Sequence, residues 1–142
     1  MRNGHTLLEL CAVLLLAALV ASVVLPAAGR LQDTFAVVAA REALAGLVAE
    51  ARAAAPGHGS GSVHLRSEPW RAWSQAGGVP LRSVDLAEEL GVSVDLSRGR
   101  TSMDLRYDAL GLGQVASETI VLRRGSSRRA LVVSGYGRVR RP

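Results

Sequence analysis

The chain has 142 residues, which suits one small domain plus a membrane-spanning element and argues against several domains. Nearly half of the residues are apolar but few are aromatic, and the apolar excess lies in the first 55 residues as Ala, Leu and Val, a composition typical of helices. The single cysteine, Cys11, excludes an intramolecular disulfide, and no cysteine spacing typical of zinc sites is present.

The net charge of +5 is unevenly distributed along the chain. All the basic residues are arginines, and the segment from residue 123 to the end contains no acid, whereas acids concentrate between residues 85 and 118. The seven C-terminal arginines are Arg123, Arg124, Arg128, Arg129, Arg138, Arg140 and Arg141. A basic terminus of this kind can bind a polyanion, an acidic protein surface or lipid headgroups.

An uncharged apolar run extends from Leu10 to Ala28. Its length of about 19 residues, at 1.5 Å per helical residue, nearly spans a hydrocarbon core, so we predict a transmembrane helix. Glu9 directly precedes the run. A carboxylate inside a bilayer costs on the order of 2.5–3.5 kcal/mol, and this position therefore predicts a specific partner for Glu9.

The segment from Gly4 to Leu10, GHTLLEL, followed by an apolar helix resembles the class III signal of type IV prepilins and pseudopilins. The resemblance implies that residues 1–4 are a leader, which prepilin peptidase removes on the cytoplasmic side after Gly4. The same enzyme would methylate the new amino terminus at His5, a position where the family usually has Phe. A plain signal anchor with a glutamate at its start is the alternative interpretation.

The family resemblance also suggests the partner of Glu9. Cleavage exposes a cationic α-amino group at His5, with an ordinary pKa of about 7.7–8.0, which Glu9 of a neighbouring subunit can neutralise during assembly. Pro26 matches a frequent pilin position, and we expect it to bend or break the helix because it lacks an amide donor.

Beyond Gly29 the helical pattern continues but becomes amphipathic. Apolar residues at helical spacing predict a buried face, formed by Val37, Ala40, Leu44, Leu47, Val48 and Ala51. We therefore predict one helix from about Thr6 to about Ala55, with residues 5–29 in the membrane or filament and residues 30–55 packed on a globular domain. The segment 56–62, PGHGSGS, should end it.

Residues 56–142 show short β patterns that predict an α+β fold, in which a small antiparallel β-sandwich follows the long helix. The predicted strands lie in 62–66, 91–97 and 101–108, and a hairpin is predicted for 118–134. Trp70 and Trp73 are predicted to pack in the core or at an edge, with a carbohydrate or base platform as the alternative.

Both ends of the chain also resemble minor pseudopilins of the GspH/FimT type. The resemblance rests on two features. The first is the pair Ala51 and Arg52 near the end of the helix, and the second is the C-terminal apolar strand, which is followed by a turn and by Gly-Arg-Val-Arg at residues 137–140. It implies a GspH-like pilin fold in a minor pseudopilin of a type II secretion or type IV pilus system. Such a subunit would cross the inner membrane once, place its globular domain in the periplasm, and have other pilins and membrane lipid as partners.

The FimT branch links the same C-terminal motif to DNA capture in natural transformation. Gly137, Arg138 and Arg140 match that motif and Arg141 extends it, so these residues form a candidate DNA-binding site. Such arginines would contact phosphates and give sequence-independent, salt-dependent binding. The alternative is a solvated basic rim or a contact to acidic neighbours.

Sequence motifs for catalysis are weak in this chain. GLGQVA at residues 111–116 fits a dinucleotide turn superficially, but too few residues follow it for a βαβ unit. His58 and His64 have no second ligand at metal spacing, and no nucleophile has an evident base beside it. We therefore expect a structural protein rather than an enzyme, without cofactor or metal.

Overall fold

The structure is a computed structural model that describes residues 7–114 and 117–142. One helix, α1 (Leu7–His58), precedes eight strands and a short 3-10 turn at Ser97–Gly99. The strands are β1 (Gly61–Arg66), β2 (Arg71–Ala76), β3 (Val79–Asp85), β4 (Ser93–Leu96), β5 (Ser102–Tyr107), β6 (Glu118–Arg124), β7 (Ser127–Val133) and β8 (Val139–Arg140). The predicted α+β architecture, a long N-terminal helix followed by antiparallel β-structure, is confirmed.

The strands form two four-stranded antiparallel sheets. The first has the order β3-β2-β1-β5 and the second the order β4-β6-β7-β8. The chain divides into two compact units, Met1–Gln32 and Asp33–Pro142, and both sheets belong to the second.

The core of the second unit is one apolar cluster contributed by the helix and by both sheets. All six residues of the predicted helix face are buried, because their spacing places them on one side of α1. On β5, alternation buries Met103, Leu105 and Tyr107 and exposes the residues between them. Trp70 is half-buried and packs against this cluster, as predicted.

The helix ends later than the sequence indicates. It continues through Pro56 to His58, rather than ending near Ala55, and Gly59 follows with a φ of 79°. A proline in the last turn removes one amide donor but leaves the other helical hydrogen bonds of that turn in place. The glycine in the left-handed region, and not the proline, ends the helix.

The helix is also continuous through Pro26, so the predicted break is not present in this structure. Loss of one hydrogen bond at Pro26 leaves the flanking helical turns intact. A bend at Pro26 stays a prediction.

The β2–β3 hairpin has no counterpart among the predicted strands. Its buried residues on β2 are small, Ala72, Ser74 and Ala76, and five of the seven β3 residues are exposed. Neither strand therefore shows the apolar alternation from which the others were predicted. The β6–β7 hairpin, by contrast, lies within the predicted segment 118–134 and pairs Arg124 with Ser127 across its turn.

Candidate functional site

The C-terminal arginines are positioned by a hydrogen-bonded turn between β7 and β8. The amide of Gly137 donates a hydrogen bond of 2.8 Å to the carbonyl oxygen of Ser134. The amide of Ser134 donates a hydrogen bond of 2.9 Å to the carbonyl oxygen of Arg138. The amide of Arg138 also donates to Ser134 Oγ over 3.1 Å. Because three hydrogen bonds close this turn, Tyr136 and Arg138 project from a fixed backbone.

Gly137 has a packing role within this turn. It is buried, with a φ of 75°, and a Cβ at this position would overlap the ring of Tyr107 on β5. Only glycine fits, since an L side chain would be strained by the backbone conformation and would also clash. The glycine predicted as part of a DNA-binding motif therefore holds the turn against β5.

Arg138 and Arg140 line one open groove of about 620 Å³. The groove also includes Arg52 from α1 and Tyr136 from the β7–β8 turn. Its remaining lining residues are Leu112, Ser117, Val132 and Ser134. We call this depression the arginine groove.

Ion pairing separates the C-terminal arginines into two groups. Arg123 pairs with Asp95 at 2.8 Å and Arg124 with Asp33 at 3.1 Å, and Arg141 pairs with Glu42 at 3.2 Å. Within residues 7–114 and 117–142, no carboxylate lies at ion-pair distance from Arg138, Arg140, Arg128 or Arg129.

Arg141 also lies apart from the other candidates, since it lines a neighbouring groove rather than the arginine groove. Arg138 and Arg140 are consequently the two predicted DNA-binding arginines that share one groove and have no carboxylate at ion-pair distance in the described part of the chain.

Arg52 connects α1 to the loop between β5 and β6. Its Nε donates to the carbonyl oxygen of Gly111 over 3.0 Å, and it lines both grooves. The preceding Ala51 is fully buried, and a Cβ at Gly61 would overlap its carbonyl oxygen. The Ala-Arg pair thus combines close packing against β1 with a cation at the groove.

Tyr107 lies beneath this region with its hydroxyl buried. Among the described residues its Oη has no hydrogen-bond partner. Burial raises the pKa of Tyr107, and the nearby charge of Arg52 opposes the shift without cancelling it. Tyr107 is therefore a neutral packing residue that supports Gly137.

A second polar cluster lies across the first sheet and was not found in the sequence. His64 on β1 is directly opposite Trp73 on β2 and Asp104 on β5. Its Nδ1 donates to Asp104 Oδ1 over 2.6 Å, its Nε2 is 3.0 Å from Ser62 Oγ, and its ring stacks on Trp73 at 5.2 Å. Only the strand register could have revealed it, because these residues are far apart in sequence.

The Ser62, His64 and Asp104 contacts have the connectivity of a hydrolase triad, but their environment favours a structural role. Arg66 Nη2 lies 2.8 Å from Asp104 Oδ1, and the Arg66 guanidinium lies 5.9 Å from the ring centroid of Trp73. The Asp104 carboxylate is therefore shared between the His64 ring and the Arg66 guanidinium, as in an ion-pair network across a sheet face. Neighbours of this type on one sheet face stabilise strand pairing.

No group of three or more His, Cys, Asp or Glu side chains able to hold a metal ion occurs in the described part of the chain. The glycines of GLGQVA, Gly111 and Gly113, lie in the loop after β5, and the next described element is strand β6. A phosphate-binding helix N-terminus, which the dinucleotide motif requires, is not formed by the described residues there.

The first unit contains the apolar part of α1. Its large apolar side chains from Leu7 to Leu25 are exposed, and the helix is long and apolar enough to cross a membrane. Glu9 lies in the first turn of α1. The predicted processing residues Gly4 and His5 lie outside the described residues.

The fold is similar to that of solved structures of a type IV minor pilin. Two crystal structures of the type IV minor pilin FimU from Pseudomonas aeruginosa superpose with TM-scores of 0.57 and 0.55. The chain has a minor-pilin fold. The first match has 18% sequence identity and covers 75% of this chain and 87% of FimU; the second has 19% identity and covers 73% and 90%. No protein-family model matches the sequence, and no curated protein does.

The similarity to FimU covers about three quarters of this chain and concerns its fold. An exposed apolar helical segment comes first, and a helix face buried under two small sheets follows. Within this minor-pilin fold, the arginine groove is built from the α1 residue Arg52 and the last turn and strand of the chain.

Proposed function

We propose that the chain is a minor pilin or pseudopilin subunit that assembles with other pilins into a filament. The observation that carries this proposal is a minor-pilin fold whose helix begins with exposed apolar side chains and an acid, Glu9, in the first turn. The apolar segment would anchor the subunit in the bacterial inner membrane, with residues 33–142 in the periplasm.

Processing by a prepilin peptidase would prepare the subunit for assembly. Cleavage after Gly4 would remove residues 1–4, and the peptidase would methylate His5. Co-expression with a prepilin peptidase should reduce the intact mass by the leader and add one methyl group. Gly4→Val should retain the full mass, whereas an uncleaved wild-type chain would contradict the processing proposal.

Glu9 would set the position of the subunit in the filament by neutralising the amino terminus of a neighbour. The pair would lie in an apolar environment, where an unpaired carboxylate is costly. In cells that make the filament, Glu9→Ala should leave the protein in the membrane fraction but remove it from sheared filaments.

The control for this experiment is Glu89→Ala, which removes a carboxylate from an exposed site outside α1. It should assemble as the wild type does. Normal incorporation of the Glu9→Ala protein would contradict the role of Glu9 in assembly.

The same assembly chemistry serves type II secretion and type IV pili. A deletion strain complemented with the wild type and with Glu9→Ala distinguishes them. Loss of exoprotein secretion would assign a pseudopilus, and loss of pili or of transformation would assign a pilus.

A second candidate function is DNA binding for uptake in natural transformation. The specific observation in its favour is that Arg138 and Arg140 line one groove with no carboxylate at ion-pair distance among the described residues. Guanidinium groups presented in this way can contact successive phosphates, and binding would release counterions and weaken with salt.

The test uses the full chain in an uncharged detergent and labelled duplex DNA over a range of salt concentrations. Arg138→Ala/Arg140→Ala should weaken binding and reduce the slope of log K against log salt by up to about 1.8, since each phosphate contact contributes about 0.9. Arg128→Ala/Arg129→Ala removes the same charge from the exposed β6–β7 hairpin and should have a smaller effect. Equal effects of the two double variants would reject the arginine groove as the binding site.

A further inference from the structure

Tyr136 is an exposed aromatic side chain within the arginine groove. It is 79% exposed, and it lines the groove together with Arg52, Arg138 and Arg140. Within Asp33–Pro142, Trp70, Trp73 and Tyr107 are half-buried or buried, and Phe35 on α1 is exposed but does not line the groove. An exposed ring in one groove with two arginines that have no acidic partner among the described residues combines a stacking surface with phosphate-binding groups.

The turn presents this ring with little conformational freedom in the backbone. Tyr136 lies between Gly135 and Gly137 in the turn closed by Ser134 and Arg138. Gly137 is in turn held against the Tyr107 ring. A tyrosine side chain has only two χ angles, so its immobilisation on binding costs less conformational entropy than that of a longer chain.

We propose that the arginine groove binds single-stranded nucleic acid, with a base stacked on Tyr136 and backbone phosphates on Arg138 and Arg140. This inference rests on the second candidate function and deepens it, because it names the form of nucleic acid. In a duplex the base faces are stacked on one another, so the ring of Tyr136 reaches a base face only in an unpaired strand.

The lining of the groove favours a nucleotide chain over a membrane surface. Tyr136 and the two arginines line a common depression, whose other lining residues include the hydroxyl-bearing Ser117 and Ser134. Cations and hydroxyl groups in a concave site can contact a phosphodiester backbone, as they do in known single-strand binding grooves. Arg52 supplies a third positive charge while its Nε remains bonded to Gly111.

The experiment compares three labelled ligands of equal length with the full chain in uncharged detergent. They are an oligothymidylate, an abasic strand with the same number of phosphates, and a duplex. The wild type should bind oligothymidylate more tightly than the abasic strand by roughly 5- to 100-fold, the gain expected from stacking one base.

Tyr136→Ala should abolish the preference for oligothymidylate and leave the salt dependence unchanged, because no phosphate contact is lost. Tyr136→Phe keeps the ring and should retain the preference. Arg138→Ala/Arg140→Ala should weaken binding of all three ligands and reduce the salt slope for single strands by up to about 1.4.

The outcomes separate this inference from the function on which it rests. Binding of all three ligands that depends on Arg138 and Arg140, with no change in Tyr136→Ala, would overturn base stacking and leave DNA binding in place. Failure to bind any of them at low salt would overturn both. A preference of the full chain for anionic over uncharged mixed micelles that is lost in Arg138→Ala/Arg140→Ala and is not competed by oligothymidylate would assign the groove to a membrane surface and overturn the proposal.

Discussion

At the scale of single residues, Gly137 determines whether the β7–β8 turn can lie against β5. Gly137→Ala should lower the free energy of unfolding by about 2–4 kcal/mol, since it combines a strained backbone with overlap of Cβ and the Tyr107 ring. Urea denaturation of the wild type and the variant measures the change.

Gly59→Ala is the matched control for this variant. Gly59 has a similar φ of 79°, but a Cβ there would have no heavy atom within 4 Å. Gly59→Ala should therefore lower the free energy of unfolding by about 1 kcal/mol, the cost of the strained backbone alone. Equal losses for the two variants would show that the contact with Tyr107 contributes nothing.

Removal of the buried hydroxyl group of Tyr107, unlike the glycine substitutions, should not lower the free energy of unfolding. Its Oη has no partner among the described residues, so Tyr107→Phe removes a polar group that is buried without a hydrogen bond. The free energy of unfolding should stay unchanged or rise by up to about 1 kcal/mol. A loss of stability above about 1 kcal/mol would mean that the hydroxyl group is hydrogen-bonded in solution.

At the scale of elements, the row Trp73, His64 and Asp104 joins β2, β1 and β5. Partial burial of Asp104 would raise its pKa, but hydrogen bonds from His64 and Arg66 outweigh that effect, so the pKa lies below the usual 3.8. The stability that ionised Asp104 contributes is therefore fully present above the pKa of this carboxyl group in the unfolded chain. It is lost as the pH falls through the lower pKa of the same group in the folded protein.

We therefore expect the free energy of unfolding to decrease as the pH falls from about 5 toward 2, and Asp104→Asn to flatten this dependence. Thermal denaturation at a series of pH values measures it. Asp95→Asn on β4, which removes an exposed carboxylate paired with Arg123, is the comparison. If the stability of Asp104→Asn depended on acidic pH as strongly as that of the wild type, the contacts of Asp104 with His64 and Arg66 would not contribute to stability.

Asp85, at the end of β3, is a second carboxyl group whose pKa is lowered in the folded protein. A hydrogen bond from the amide of Glu88 and a second from Arg71 lower its pKa below 3.8. Asp85→Asn should therefore also reduce the loss of stability at acidic pH. The double variant Asp85→Asn/Asp104→Asn should lose less stability at acidic pH than either single variant.

The elements also show what the sequence could predict. Helix and strand periodicity identified the buried face of α1 and the inner side of β5, because burial imposes a spacing that can be read directly. The β2–β3 hairpin was missed because Ala72, Ser74 and Ala76 fill its inner face with small residues. The groove could be predicted only in part, since the placement of Arg52 and Tyr136 in one groove depends on how the helix end and the β7–β8 turn fold together.

At the scale of the whole molecule, apolar side chains are used in two different ways. Every residue of the buried core cluster lies within Asp33–Pro142, whereas the large apolar side chains from Leu7 to Leu25 are exposed. Because hydrophobic burial is the main source of folding free energy, the second unit contains the elements it needs to fold. The exposed segment needs lipid, detergent or other subunits.

A fragment of residues 30–142 should therefore be soluble and unfold cooperatively in urea. It retains Asp33, whose Oδ1 lies 3.1 Å from Arg124 Nε, and Thr34, whose Oγ1 lies 2.8 Å from Ser127 Oγ. These contacts join the start of the packed helix to the β6–β7 hairpin. Asp33→Ala/Thr34→Ala in this fragment should lower the unfolding free energy by about 1–3 kcal/mol, because both contacts are partly shielded from water. Non-cooperative unfolding of the unsubstituted fragment would instead show that the apolar segment is required for folding.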